Sequence, residues 1–379
     1  MAAPKPDQTA YYDPARLLRV DHRPPAGVWP GTPARFEPGG YLHPAKPKNL
    51  EALGLPHAHA WSPTDEDWQL PPDWQRIVLE GMRARIARSR TLQLFMDNCV
   101  RCGACAKRCP FFLGSGDPKN MPVLRAELLR SVYRRHFTLA GRLMGEMVGA
   151  RELTPAVLKE WFKYFFQCTE CRRCAVFCPQ GIDTAEITML ARELLLLLGL
   201  SVNWVLEPAA NCHRTGNHLG IQPHAFKDSL EFLADELAEI TGVRVQVPIN
   251  RKGAEILFVT PSGDLLADPG TYTAMGYLAL FHEIGLDYTF STYASEGGNF
   301  GLFASVELMK KLNAKIYAEA RRLGVKWILG GECGHMWRVM HQYMDTLNGP
   351  ADFLEVPSSP VTGTRFERAI TRFNSSDAG

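Results

Sequence analysis

The sequence predicts an α+α/β fold class, in which an α-helical domain is followed by a doubly wound parallel α/β domain. Three observations indicate this: prolines crowd the first 75 residues, helical periodicity dominates up to residue 241, and strands alternate with helices after it. We therefore expect four segments: an extended arm over 1–75, the helical domain over 76–241, the α/β domain over 242–357 and a polar tail over 358–379.

The predicted arm holds 14 of the 27 prolines. Proline lacks a backbone N–H and fixes φ, so this stretch cannot form a regular helix or a central strand. Disordered tails are normally poor in aromatic residues, whereas this one is rich in them. We expect an arm that wraps its own protein or a partner through Tyr11, Tyr12, Trp29, Phe36, Tyr41, Trp61 and Trp68.

The α/β prediction depends on an alternation of β-rich and amphipathic segments, which is typical of a parallel sheet covered by helices. The predicted helices are Gly270–Ile284, Leu302–Leu323 and His335–Leu347. The predicted strands are Val243–Pro248, Glu255–Thr260, Tyr288–Thr292 and Val325–Leu329.

The composition and the N-terminal sequence indicate the cellular compartment and exclude some classes of partner. The formal net charge is only +2, so no strong basic field indicates nucleic acid. The N-terminus lacks the apolar core of a secretory signal. The most apolar short run, Leu194–Leu198, is far shorter than the ~20 residues that cross a bilayer. We expect a cytoplasmic protein, and the ten cysteines of such a chain indicate metal binding or catalysis rather than disulfides.

Eight of these cysteines form two identical runs of spacing C-x2-C-x2-C-x3-C, each followed by proline. This is the run of two-cluster bacterial ferredoxins, in which three thiolates bind one [4Fe–4S] cluster and the fourth binds the other. The rule assigns one cluster to Cys99, Cys102, Cys105 and Cys178, and the second cluster to Cys168, Cys171, Cys174 and Cys109. We therefore predict two [4Fe–4S] clusters and electron transfer.

The alternative is a pair of structural zinc sites, but such sites usually combine one C-x2-C pair with a distant second pair. The 58 residues between Cys109 and Cys168 have helical patterns, which favours an all-α ferredoxin domain. Basic residues flank the thiolates: Arg101, Lys107, Arg108, Arg172 and Arg173. They either tune the cluster potentials or meet an acidic electron partner, or else they form an ordinary solvated face.

The remaining two cysteines differ in context. Cys333 follows a predicted strand and precedes a helix, a position where thiols have a lowered pKa and act as nucleophiles or ligands. Glu332 and His335 could assist it, and the alternative is a small residue in a tight turn. Two more loops would ring the same crevice, at residues 260–264 and 291–296. We expect Cys212 to be an ordinary buried thiol, and we assign no metal to His213, His218 and His224.

Four segments together resemble the DsrK family, the heterodisulfide-reductase-like iron–sulfur subunits of the membrane DsrMKJOP complex. The resemblance runs from about residue 70 to 355 and rests on Met96–Cys105, Thr260–Asp264, Ser295–Phe303 and Gly331–His335. It implies that the α/β domain is CCG-like and that the protein is peripherally attached to the inner membrane. The implied partners are a DsrM-like haem-b membrane subunit, further DsrMKJOP-like subunits and a small DsrC-like sulfur-carrier protein in dissimilatory sulfur metabolism.

The same resemblance implies a third, catalytic [4Fe–4S] cluster, to which Cys333 is the candidate ligand. The family binds it with Cys-Cys-Gly sequences, and this chain has no Cys-Cys pair. Since a cluster takes about four thiolates, its other ligands would come from another chain or from residues beyond this sequence, unless this copy has lost the centre. Whether the chain is itself an enzyme stays open.

Two other functions remain possible on the sequence alone. One is an iron–sulfur subunit of another quinone-linked dehydrogenase, such as a 2-hydroxy-acid oxidase. The other is a truncated, non-catalytic subunit that binds partners through its aromatic arm.

Overall fold

The computed structural model describes residues 70–354. The predicted tail, and all of the predicted arm except residues 70–75, lie outside the described residues.

The first part of the described chain is helical. Prolines stand at the first turn of three of its helices, where a missing N–H costs nothing. Its helices are α1 (Trp74–Arg88), α2 (Arg90–Asp97), α3 (Pro110–Ser115), α4 (Pro122–Phe137), α5 (Leu139–Met144), α6 (Pro155–Phe165), α7 (Arg173–Val176) and α8 (Thr184–Leu197), with 3₁₀ turns at Ala106–Arg108, Pro118–Asn120 and Gly145–Val148.

Helix α8 is the centre of the first hydrophobic core and contacts α1, α2, α4 and α6. Its Leu190, Leu194 and Leu195 are fully buried. Trp161 of α6 is also fully buried, and its indole N–H donates to the carbonyl of Leu128 on α4 at 3.0 Å. The core therefore holds α4, α6 and α8 in fixed positions beside the cysteine runs.

The second part contains a three-stranded parallel sheet of order β2-β1-β3. The central strand is β1 (Ile256–Val259), and its neighbours are β2 (Tyr288–Thr289) and β3 (Trp327–Gly330). Ile256 pairs with Tyr288 on one side and with Trp327 on the other. Ile256 and Phe258 face one hydrophobic core and Leu257 and Val259 face another, so helices cover both sides of the sheet.

The prediction of a strand over Val243–Pro248 is wrong. In this segment the described chain is irregular, and only Ile249 makes an isolated bridge, to Phe290. Pro248 has no N–H to donate to a ladder, and its carbonyl accepts one bond from the N–H of Phe290.

The helices of this part are α9 (Asn203–Thr215), α10 (Pro223–Thr241), α11 (Ser262–Leu266), α12 (Gly270–Glu283), α13 (Gly298–Ala304), α14 (Val306–Leu323), α15 (Gly334–Gln342) and α16 (Met344–Asn348). Phe226, Leu230 and Leu237 of α10 pack in the same core as the sheet, and α9 packs against α13 and α14. Leu196 of α8 packs in the same core as Leu206 of α9 and Leu308 of α14. The domain boundary at 241/242 stays a prediction.

In residues 70–354, every helix is too short or too polar to span a lipid bilayer.

Candidate functional site

The two cysteine runs fold into loops of the same backbone conformation. Arg101 and Glu170 occupy equivalent places and both have left-handed backbones, with φ of 54° and 58°. Gly103 and Arg172 form the second equivalent pair, with φ of 76° and 59°. Three of these four are not glycine, and such residues adopt this conformation at a cost of order 1–3 kcal/mol when the surroundings impose it. Left-handed turns of this kind direct backbone N–H groups towards a bound anion.

Each loop lines one cavity, and the fourth cysteine of each run lines the cavity of the other. The first cavity is lined by Cys99, Cys102, Cys105 and Cys178, and the second by Cys109, Cys168 and Cys171, while Cys174 lines both. Their empty volumes are similar, about 380 and 350 Å³. In residues 70–354 no three His, Cys, Asp or Glu side chains converge closely enough to hold a single metal ion.

Burial affects several of these thiols. It raises the pKa of Cys105 and Cys168, and it raises that of Cys174 to about 12 despite a hydrogen bond from the Thr184 hydroxyl at 2.7 Å. The thiolate is the form that binds iron, so iron uptake must displace these protons.

Buried arginines provide an independent test of whether the cavities suit an anionic group. Arg130 is 1% exposed and Arg125 is 3% exposed, and each has guanidinium N–H groups without a partner. Arg125 lines the second cavity, and Arg130 lies within interaction range of Cys99. Thiolates with unpaired buried cations fit a [4Fe–4S] cluster, which is anionic with its cysteine ligands. The sequence interpretation missed both arginines because they lie within helix α4.

Three of the five basic residues that the sequence singled out have partners other than the cysteines. Arg101 pairs with Glu127 at 2.8 Å, Arg172 pairs with Asp183 at 2.6 Å, and Arg108 lies over the ring of Phe177. These contacts do not test what the exposed charges do, so their role stays a prediction.

Cys333 is the N-cap residue of α15 and is half-buried. The prediction of a lowered pKa is wrong: burial raises the pKa of this thiol more than the backbone N–H groups of His335 and Met336 lower it. A short helix contributes only a modest field at its N-terminus, and desolvation of the thiolate outweighs it. In this environment Cys333 is a poorer nucleophile than its position in the sequence suggests.

Part of the predicted crevice comes together around Cys333. Asp264 accepts a hydrogen bond from Thr260 at 2.7 Å and shares another with Glu332, and burial raises the pKa of both carboxyls. The buried Glu296 accepts bonds from the backbone N–H groups of Ser262 (3.1 Å) and His218 (2.9 Å).

The other residues predicted to line the crevice form hydrogen bonds with different groups. Ser291 donates to Glu319, Thr292 pairs with Asn250, and the hydroxyl of Ser295 donates to a backbone carbonyl. Cys212 is fully buried in a hydrophobic core, as predicted.

Helix α15 connects the crevice to the second cysteine loop. The imidazole of His335 forms a 2.8 Å hydrogen bond between its Nε2 and the carbonyl of Thr169. Arg338 donates to the carbonyl and the carboxylate of Glu170, both at 3.2 Å. Glu170 is buried and also lies 3.7 Å from Arg192. The sequence interpretation missed this contact, because nothing local relates residues 166 positions apart.

The region that contains the cysteine loops matches a known domain family. Residues 95–182 match the family model of a 4Fe-4S dicluster domain. The prediction of a ferredoxin-type [4Fe–4S] domain is confirmed for this region, while the number of clusters and the ligand of each stay predictions. No solved structure matches the chain.

The similar curated proteins are longer than the matched part of this chain. The chain is 51% identical over 294 residues to the Hdr-like menaquinol oxidoreductase iron-sulfur subunit of Archaeoglobus profundus, covering 76% of this chain and 53% of the relative. It is 50% identical over 320 residues to iron-sulfur subunit 2 of the Hdr-like menaquinol oxidoreductase of Archaeoglobus fulgidus (83% and 58%). One subunit of the dihydromethanophenazine:CoB--CoM heterodisulfide reductase of Methanosarcina barkeri is 34% identical over 105 residues (28% and 25%).

The chain thus spans a little over half the length of the first two relatives. It is similar to Hdr-like iron–sulfur subunits over most of its length, and it contains a [4Fe–4S] dicluster domain.

Proposed function

We propose that this chain is an iron–sulfur electron-transfer subunit that relays electrons between a membrane quinone pool and a thiol/disulfide substrate. The observation that carries the proposal is the pair of cavities, each lined by three cysteines of one run and the fourth of the other. One cluster takes Cys99, Cys102, Cys105 and Cys178, and the second takes Cys168, Cys171, Cys174 and Cys109. When bound, each cluster supplies one-electron transfer.

The residues of the chain bind and orient the clusters. The loops supply the thiolates, and Cys99 and Cys178 pack directly against the hydrophobic core around α8. Reduction of a disulfide takes two electrons and two protons, and oxidation of a quinol releases the same number. Two one-electron carriers side by side suit such an exchange.

The names of the relatives support the quinone side of this proposal, since two of them are menaquinol oxidoreductase subunits. We infer that the chain attaches to the cytoplasmic face of a membrane through a haem-b, DsrM-like subunit. On the basis of the family resemblance, we further propose a DsrK-type role in which a DsrC-like sulfur carrier is the substrate. A third cluster, with Cys333 among its ligands, would need further thiolates, because the only other cysteine outside the two runs, Cys212, is buried in a hydrophobic core.

The proposal is tested by purifying the chain without air, reconstituting it with iron and sulfide, and measuring both elements together with EPR spectra of the reduced protein. We expect about eight irons per chain and signals of two interacting [4Fe–4S] clusters. Zinc in place of iron, or about four irons per chain, would contradict it.

A further inference from the structure

Helix α4 carries two buried arginines, of which Arg125 lines the second cavity and Arg130 lies beside the first cysteine loop. Arg130 donates from Nη2 to the carbonyl of Phe95 at 2.8 Å, and its Nε and Nη1 have no hydrogen-bond partner. Arg125 donates to the backbone carbonyl and the side chain of Asn120, at 3.1 and 3.0 Å, and its Nε has no partner. Within residues 70–354 neither arginine forms an ion pair with a carboxylate.

Burial of an unpaired guanidinium is costly. Removing one ion from water costs several kcal/mol even after the surroundings relax, and arginine does not escape that cost by losing its proton. A buried arginine without a carboxylate therefore indicates that another anion balances it. The nearby groups that become negative when a cluster binds are its cysteine ligands: Arg130 lies within interaction range of Cys99 and Cys105, and Arg125 within range of Cys168.

The two arginines serve different cavities. They are five positions apart, so they project about 140° from each other around the helix axis. Arg130 holds the carbonyl of Phe95, just before the Cys99 loop, whereas Arg125 lines the cavity of the Cys168 loop.

We propose that Arg130 balances the charge of the cluster in the first cavity and Arg125 that of the cluster in the second, so that each sets one reduction potential. This inference rests on the proposed function. Reduction adds one negative charge to a cluster, and a nearby cation or N–H donor stabilises the reduced form. Loss of either arginine should therefore lower the potential of its own cluster.

The experiment uses the full chain, reconstituted without air, in EPR-monitored redox titrations. Arg130→Gln should shift the midpoint potential of one cluster to more negative values and leave the other near its wild-type value. Arg125→Gln should do the same to the other cluster. Arg130→Lys and Arg125→Lys keep the charge and should stay closer to wild type. The matched control is Arg108→Gln, which removes an exposed charge beside Cys109, where water screens it.

The possible results distinguish failure of this inference from failure of the proposed function. Unchanged potentials in both glutamine variants, or shifts of the same cluster in both, would overturn the inference. A glutamine variant that binds no iron at all is compared with the matching lysine variant. Iron retained by the lysine variant supports the inference, because it shows that the site needs a positive charge. Loss of iron from both variants overturns the inference. A wild-type chain without iron would instead refute the proposed function, so the two failures are distinguishable.

Discussion

At the scale of single residues, the crossed arrangement of the cysteines makes a specific prediction. Replacing Cys178 with serine should weaken or remove the same EPR signal as Cys99→Ser, although the two lie far apart in sequence. The reason is that both line the first cavity. Cys109→Ser should act on the other signal, together with Cys171→Ser.

EPR spectra and iron analysis of the four variants check this. If Cys178→Ser groups with Cys171→Ser instead, each run binds its own cluster and the crossed assignment fails.

A pair of glycines offers a second residue-scale prediction, with a built-in control. Gly216 and Gly242 end helices α9 and α10 with φ of 85° and 75°. A Cβ at Gly216 would lie 2.4 Å from the backbone of Tyr293, whereas a Cβ at Gly242 would meet nothing within 4 Å. Both alanine variants carry the left-handed cost of about 1 kcal/mol, and only Gly216→Ala adds a backbone clash.

Thermal unfolding followed by circular dichroism should therefore show a clearly larger fall in Tm for Gly216→Ala than for Gly242→Ala. Equal shifts would mean that the loop of Tyr293 moves aside without cost.

At the scale of helices and strands, the sequence predicts what is locally encoded. The helices that border the cysteine runs and the three strands of the sheet follow from periodicity and from turn residues. The segment wrongly predicted as a strand, Val243–Pro248, has the composition of one. Pairing also needs a neighbouring strand, and the two-residue β2 leaves only an isolated bridge beyond its end, between Ile249 and Phe290. Composition cannot show how long a partner strand will be.

Helix α14 supplies a prediction at this scale. The hydroxyl of its N-cap residue, Ser305, accepts a hydrogen bond from the N–H of Leu308 at 3.1 Å. Ser305→Ala leaves that donor unsatisfied at a buried helix end, and should cost about 1 kcal/mol. Ser229→Ala is the control, because that hydroxyl bonds a carbonyl within helix α10 and satisfies no free N–H.

Unfolding by urea, monitored by circular dichroism, measures both variants. A Ser305→Ala protein as stable as the Ser229→Ala protein would show that this cap contributes little.

At the scale of the whole molecule, the candidate site was predictable only where its residues are neighbours in sequence. The eight cysteines follow from spacing alone. The unpaired Arg125 and Arg130, and the contact of His335 with Thr169, depend on how distant helices pack. The lowered pKa expected for Cys333 failed for the same reason, since sequence shows the helix N-terminus but not the burial around it.

A further prediction concerns the contact between the two halves of the described chain, which are the helical first part and the second part that contains the sheet. Arg338 of α15 is 7% exposed in its side chain and pairs with the fully buried carboxylate of Glu170 in the second cysteine loop. Arg88 and Glu307 also join the two halves, at 3.0 Å, but these side chains are 72% and 60% exposed. Arg338→Met should destabilise the chain by about 3 kcal/mol, because it removes one of two cations beside a buried charge. Arg88→Met should cost less than about 1 kcal/mol, because water already screens that pair.

Thermal unfolding of the reconstituted protein compares the two variants, and the EPR spectra show which cluster responds. We expect a Tm lower by several degrees for Arg338→Met alone, with the perturbed signal belonging to the cluster that Cys171→Ser also affects. Helix α15 contacts the second cysteine loop through His335 and Arg338, so a change confined to the other signal would show that the two halves are coupled by a different route.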